Sequence, residues 1–369
     1  MAVLSGRGVG TGRAVSDVQS GASDNSVSQR EDLANFISMI TRDETPFMSS
    51  IGKTKATAIF HEWQTDELET PGNSRISEGT DYVIPGATAS LNGGMTPNGG
   101  AAVGDAVGAG KFNVVGPNRS RLGNYTQING KTIAVSGTRR AIDQAGVADE
   151  YAYQLKKRGT ELRRDIEFDL VHSYGVSDAT SNQRTFGGYQ SWINDERTVE
   201  LNGATVAASP GTGRSAPTPS SSRVALSLTD IDTVMQEIYE EGGKASKIML
   251  SPKLRRDFSD LMVTDSGVRR NIDMDGKLRQ SVDIYMSDFG DLMVVPNYIM
   301  GLSYIVGGQN HQDSVALVYD PMWFSIATLR PLQEVDVGQR GDSTIGMMVE
   351  ECTLEVKNPY GCGAIYNLN

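Results

Sequence analysis

Between Val147 and Tyr174 the chain reads VADEYAYQLKKRGTELRRDIEFDLVHSY. Ala148, Tyr151, Ala152, Leu155, Gly159, Leu162, Ile166, Leu170 and Tyr174 recur at steps of three and four, which lays them in one stripe along a helix. Lys156, Lys157, Arg158, Glu161, Arg163, Arg164, Asp165 and Glu167 fall between them and are assigned to the wet or partner-facing side. The stretch holds one glycine and no proline, so its propensity cost is small. At about 1.5 Å per residue it predicts a helix of roughly 40 Å, with Gly175 placed to end it in a left-handed conformation. A rod of that length needs sheet packed along it, and the rest of the chain reads as sheet, loop and short helix.

The 369 residues are room for about two domains at the usual ~100–200 residues each. Hydrophobic residues make up 38% and there are 41 glycines, so much of the chain must be loop or arm. Lys and Arg number 34 against 45 Asp and Glu, a formal charge of −11. Proteins that grip nucleic acid by its phosphates carry the opposite balance. Cys352 and Cys362 are too few for a disulfide framework or zinc cluster and read as buried thiols in a reducing cytosol. No signal-peptide core and no apolar run of membrane-spanning length occurs, which predicts folding in a cytoplasm.

Met1 to Arg30 is small and polar, and such a segment buries too little surface to offset its ordering entropy. It reads as an arm that lies on something else. Glu31 to Ile40 places Leu33, Phe36, Ile37 and Ile40 on one helical face, with Thr45-Pro46-Phe47 as its end. From Thr54 a strand pattern sets Ile59, His61 and Trp63 opposite Phe60. The Gly-rich run Pro85 to Gly110 has few large side chains and needs contacts with other subunits to hold it. Lys111 to Gly116 and Tyr125 to Gly137 read as strands, with a turn at Asn129-Gly130. Thr54 to Gly137 thus looks like an outsized hairpin.

Ala207 to Ser222 is a linker by composition. A second unit opens with Ser227, Thr229 or Asp230 as helix cap, puts Ile231, Val234, Met235 and Ile238 on one face, and stops at Gly242-Gly243. KIMLS is a strand, and Pro252 starts the next helix. VDIYMS, LMVVP, YIVGG, SVALVYD and MWFSIATL follow as short strands, so the unit is α/β or α+β. Thr344 to Asn369 is long enough for one extended strand crossing the subunit.

Chemistry does not assemble. His61-Glu62 starts a zinc-protease motif, but Thr65 stands where the second histidine belongs; a strand histidine hydrogen-bonded to a neighbour is the better reading. His172 and His311 lie in other segments. GDAVGAGKF has Phe112 where a phosphate loop needs a hydroxyl, and GRGVGTG lacks the third glycine position of a dinucleotide fingerprint. NIDMDG (Asn271 to Gly276) begins a calcium loop whose twelfth position is Val282. Arg119, Arg121, Arg139 and Arg140 are assigned to acidic neighbours rather than phosphate. Glu350 and Glu351 are adjacent, so on a strand they point to opposite faces and form no catalytic pair. The site assignment is therefore catalytic none, cofactor-binding none, metal none, and no enzyme emerges.

The order of arm, long hairpin, long helix, α/β unit and returning strand resembles the major capsid protein of tailed bacteriophages with the Hong Kong ninety-seven fold. TPFMSSIGKTKATAIFHEWQTDEL (Thr45 to Leu68) is similar to the start of the extended loop in the SU-ten-type major head proteins. LTDIDTVMQEIYEEGGKASKIMLSPKLRRDFSDL resembles their axial helix, strand and helix, and STIGMMVEECTLEVKNPYGCGAI their returning strand. The resemblance implies an α+β fold: an N-terminal arm over 1–52, an extended-loop hairpin over 53–140, and a peripheral domain over 141–223 with its spine helix at 147–174. An axial domain over 224–318 and return strands of the peripheral domain over 319–369 complete it. It implies self-assembly through hexamers and pentamers into an icosahedral shell around double-stranded DNA, held without tight specific binding. Scaffolding, portal and cement proteins are the further candidate partners, no membrane is involved, and the virion capsid is assembled in the host bacterial cytoplasm. A long N-terminal scaffolding segment is not expected, and Lys111 and Lys131, both in the hairpin, are the lysines that bear on covalent cross-linking. The alternative is a cellular encapsulating shell of the same fold.

Overall fold

The computed structural model describes residues 41–66, 81–82, 111–112, 120–142, 146–173, 184–193, 198–200, 223–264, 283–303, 305–306, 309–310 and 313–369. The arm, the helix expected at Glu31 to Ile40, the run Pro85 to Gly110, the linker Ala207 to Ser222, NIDMDG and His311 lie outside them. The first elements are α1 (Pro46–Ser50), β1 (Gly52–Lys55), β2 (Phe60–Thr65), β3 (Asp81–Tyr82), β4 (Lys111–Phe112), β5 (Ser120–Tyr125), β6 (Gln127–Ser136), α2 (Gly137–Ala141) and α3 (Glu150–His172). Next come β7 (Thr198–Glu200), α4 (Leu228–Glu240), β8 (Lys247–Leu250), α5 (Pro252–Thr264), β9 (Ile284–Ser287) and β10 (Gly290–Pro296). The chain closes with β11 (Ile305–Val306), β12 (Gln309–Asn310), β13 (Val315–Tyr319), β14 (Phe324–Arg340), β15 (Ser343–Val356) and β16 (Cys362–Tyr366).

The long periodic stretch is α3. Asp149 caps it by accepting from the Tyr151 N–H at 3.0 Å. Leu162, Ile166 and Leu170 are buried and Tyr151 and Leu155 pack at the margin, whereas Ala152 is exposed. Gly159 allows close approach to the sheet, since a Cβ there would sit 3.2 Å from Met348 Cε. The helix stops before Gly175. Ser173 is already extended, its hydroxyl donates to the Phe186 carbonyl at 2.7 Å, and its own carbonyl accepts from Gly188 N–H at 2.8 Å. The rod therefore ends at Ser173, held by a neighbouring segment, and Gly175 lies outside the described residues.

Beneath α3 lies a sheet of order β1-β14-β15-β6. β1 runs parallel to β14, and the other pairs are antiparallel. Asn129-Gly130 makes no turn. β6 runs straight through, with Asn129 opposite Glu350 and Gly130 opposite Val349, because β15 offers an unbroken partner from Ser343 to Cys352. Local turn preference yields to ten residues of pairing. β14 continues well past Leu329, through Pro331; β1 covers only Ser325–Thr328, so beyond it β14 is an edge, where a missing N–H is tolerated. Thr45-Pro46 opens α1 rather than closing a helix, in keeping with proline's fixed φ and absent N–H at the first position.

Of the expected hairpin, β2 and β5 pair antiparallel from Phe60↔Tyr125 to Thr65↔Ser120. β1 and β6, at either end of it, belong to the body sheet, and Lys131 is therefore not in the hairpin. Trp63 turns inward onto Trp192, ring centroids 5.2 Å apart, and Phe60 turns outward, as the alternation requires.

The second sheet has the order β7-β16-β13-β8-β10-β9. All five residues of β13 are buried: Val315, Leu317 and Tyr319 join the core of α1, α3 and β15, while Ala316 and Val318 join a core under α4 and α5. Both faces are covered, hence the unbroken apolar run. Ser227 is the cap of α4, in a reciprocal box with Asp230, and Ile231, Val234, Met235 and Ile238 are its buried face. The stretch from Thr344 is not one strand. β15 ends at Val356, a 3-10 turn spans Pro359–Gly361, and β16 crosses into the second sheet, so 319–369 contributes to both.

Candidate functional site

Glu167 overturns its placement on the wet side of α3, for its side chain is fully buried. One carboxylate oxygen accepts from the Phe47 N–H at 2.8 Å and the Asn297 amide at 2.9 Å, the other from the Met48 N–H at 2.7 Å. Phe47 and Met48 are the second and third residues of α1, so a side chain of the long helix satisfies donors that the short helix leaves open. Asn297 follows β10 in the second sheet. One carboxylate thus ties α1, α3 and the α/β unit together. Burial pushes its carboxyl above the ordinary range, opposed by the Met48, Phe47 and Asn297 donors. Nothing in the sequence signals this, since the donors lie more than a hundred residues away.

The two glutamates of β15 do point to opposite faces. Glu350 faces α3 beside Cys352; burial raises its carboxyl, opposed by Arg163 and Lys53. Burial, then the charge of Glu350, pushes the Cys352 thiol up to about 12, so it is an inert thiol at neutral pH. Across from them Asp169 accepts from Gln127 at 2.6 Å and is pushed up to about 6, chiefly by burial and further by Asp165. Lys131 ion-pairs with Asp165. Glu351, on the far face, accepts from Thr126 and Arg184 at 2.8 Å on one oxygen and from Arg330 at 2.7 Å on the other.

His61 Nε2 lies 3.5 Å from Glu355, an electrostatic contact longer than a good hydrogen bond, and not the neighbour bond expected of it. Arg121 and Arg139 meet the carboxylates of Glu62 and Glu150, at 3.7 and 3.4 Å, while Arg140 donates to the Thr344 hydroxyl. Cys362 is buried and its thiol donates to the Pro359 carbonyl. The polar groups therefore form structural junctions. Among the described residues no group of three or more His, Cys, Asp and Glu could hold a metal ion, and no helix is long and apolar enough to cross a membrane.

What the described surface offers is contact area. Ile284, Met286 and Met293 lie exposed together on β9 and β10. Ile128 of β6 and Val335 and Val337 of β14 are exposed on the four-stranded sheet. Apolar groups gathered this way suit protein partners, not small-molecule chemistry.

A family model described as SU10 major capsid protein matches residues 17–369. The major capsid protein of Escherichia phage Phieco32 is 24% identical over 366 residues, spanning 90% of this chain and 93% of that one. Solved structures of similar fold include the capsid of cyanophage P-SCSP1u, with 11% identity, a TM-score of 0.52 and coverage of 92% and 93%. Mycobacterium phage Bobi matches with 11% identity, a TM-score of 0.55 and coverage of 92% and 96%. The capsid of a native GTA particle matches with 12% identity, a TM-score of 0.54 and coverage of 95% and 99%.

Proposed function

The chain belongs to the SU10 major capsid protein family, and on that premise we propose that its copies close into an icosahedral shell around the double-stranded DNA of a tailed phage. The family match over residues 17–369 is the observation that carries this reading. It also favours a virion over a cellular encapsulating shell. In this reading the four-stranded sheet with α3 is the peripheral body and the sheet under α4 and α5 the axial unit. The β2–β5 ribbon is the stem of the extended loop, and the residues before about 41 are an arm on neighbouring copies; α1, counted in the arm over 1–52 from sequence, is held in the subunit's own core by Phe47 and Glu167. Hexamers and pentamers of the chain are the building blocks, made in the host bacterial cytoplasm. Scaffolding, portal and cement proteins complete the set of partners.

The net charge of −11 suits a container better than a DNA-binding protein. Phosphates packed against such a wall are not gripped, and the paired arginines Arg121 and Arg139 have carboxylates of their own. Electron microscopy of the chain expressed in bacteria tests the reading: closed icosahedral particles are expected. Purified subunits are expected not to retard DNA at physiological salt. Protein that stays unassembled at high concentration, together with a salt-sensitive DNA complex, overturns the proposal. Particles filled with a protein cargo instead of nucleic acid would favour the cellular shell.

A further inference from the structure

β10 reads GDLMVVP and is apolar on both faces, the pattern of a strand covered twice. The structure covers it once. Leu292 and Val294 pack beneath α4 and α5, and Tyr285 of β9 joins them, its hydroxyl donating to Asp232 at 2.8 Å. On the other face Met293 stands directly across from Ile284, with Met286 beside them, and these are 50%, 54% and 75% exposed. Beside Met293 in the sheet stands the half-buried Lys247 of β8, and one pair further on Met249, beside Val295, shows the same face and is sealed by the first core. The two outer strands overhang that core as an apolar ledge. β9 is also a sheet edge, with no proline or lysine of its own to discourage pairing.

The outer rim of the ledge is acidic, with Lys247 on its inner side: Asp283, Asp288 and Asp291 are exposed around it, Asp283 already paired with Arg255 at 2.9 Å. A surface of complementary sign lies elsewhere on the same unit. At the start of α5, Pro252, Lys253 and Arg256 are exposed, and the 3-10 turn Tyr298–Gly301 packs on this helix and leads into Leu302, which is 42% exposed. Arg256 has Asp257 at 3.3 Å and Asp313 lies beside Gly301, so this patch is basic at one end only. Resting on the shell reading above, we propose that the β9–β10 ledge docks on the start of α5 of a second copy. Its apolar centre meets Leu302 and Pro252, and Asp288 and Asp291 meet Lys253 and Arg256. Because the two surfaces differ, the contact is heterologous and repeats around a ring. Residues 265–282, which join α5 to β9, are the rival cover, but DSGVRRNIDMDGKLRQSV is mostly polar.

Charge exchange tests the pairing. Asp288→Lys with Asp291→Lys is expected to leave a folded subunit with unchanged melting that forms no particles by electron microscopy. Lys253→Glu with Arg256→Glu is expected to do the same, and the four changes together to restore particles. Met286→Glu is expected to block assembly without lowering the melting temperature of the unassembled subunit. Normal particles from Met286→Glu or from either pair alone overturn the proposal, as does failure of the fourfold variant to restore them. A lowered melting temperature of unassembled Met286→Glu would assign the ledge to residues 265–282 and also overturn it. If the unaltered chain makes no particles and binds DNA in a salt-sensitive way, the shell reading itself falls; if it makes particles and the ledge variants do too, only this contact falls.

Discussion

Glu167 and Glu351 are both buried carboxylates, 0% and 3% exposed, yet they are satisfied in opposite ways. Glu351 holds two guanidinium groups and a hydroxyl, so its charge is compensated where it lies. Glu167 has three N–H donors and no cation among its hydrogen-bond partners. Its charge is spread over the open end of α1 and one amide, and burial still raises its carboxyl. An arginine pair can slide and re-form as side chains move. Backbone donors cannot, because Phe47 and Met48 point at Glu167 only while α1 keeps its turn. The junction at Glu351 clamps the sheet, whereas the one at Glu167 fixes how three parts of the chain meet.

The largest test of this contrast puts an acid where no donors wait. Leu162 is buried on the face of α3 turned to the sheet, in the core that also holds Met348 and Leu354. Leu162→Asp is expected to cost about 4 kcal/mol or more and to give insoluble or degraded protein; a variant that melts like the parent would show that donors are not what makes Glu167 tolerable. Removing the donors' partner is the next step down. Glu167→Ala leaves three buried N–H groups open, for about 2–3 kcal/mol. Amide exchange at Phe47 and Met48 should quicken while that of β16 is less affected, and equal protection in both variants would contradict the junction.

Asp169 gives a pH test of similar or smaller size. Its folded value of about 6 exceeds the ordinary 3.8, so its contribution favours the fold below pH 3.8 and is lost as pH rises through 6. Asp169→Asn is therefore expected to stabilise the subunit at pH 7 by on the order of 1–3 kcal/mol, with the gain gone near pH 3.5. Denaturant midpoints at both pH values decide it, and a gain that persists in acid counts against burial as the cause. Smallest is Arg330→Met, whose side chain is 45% exposed. Arg184 still holds Glu351, so the loss should be about 1 kcal/mol or less. A loss several times larger would make Glu351 as dependent on one partner as Glu167 is on α1.

Much of this was legible before any coordinates. The period of α3, the buried face of α4, the opposite sides of Trp63 and Phe60 and the opposed faces of Glu350 and Glu351 all follow from spacings of two or three to four residues. Each was recoverable from sequence because its cause lies within a few positions. The errors share a different cause. Asn129-Gly130 looked like a turn until β15 gave β6 a partner through it. Sequence carried α3 on to Tyr174, whereas Ser173, bonded to Phe186 and Gly188, already leaves the helix.

By itself, then, the sequence determined the long helix α3, the helices α4 and α5 with the apolar face of α4, most of the short strands of the second unit, and which family the chain resembles. Only the tertiary structure decided that Glu167 is buried, that β14 runs on through Pro331, that β16 crosses to the second sheet, and that β10 is left with one apolar face open. The physical reason is range. A face is encoded by neighbours a turn or a pleat away, but a hydrogen bond between Met48 and Glu167 spans 119 positions and exists only once the chain has packed.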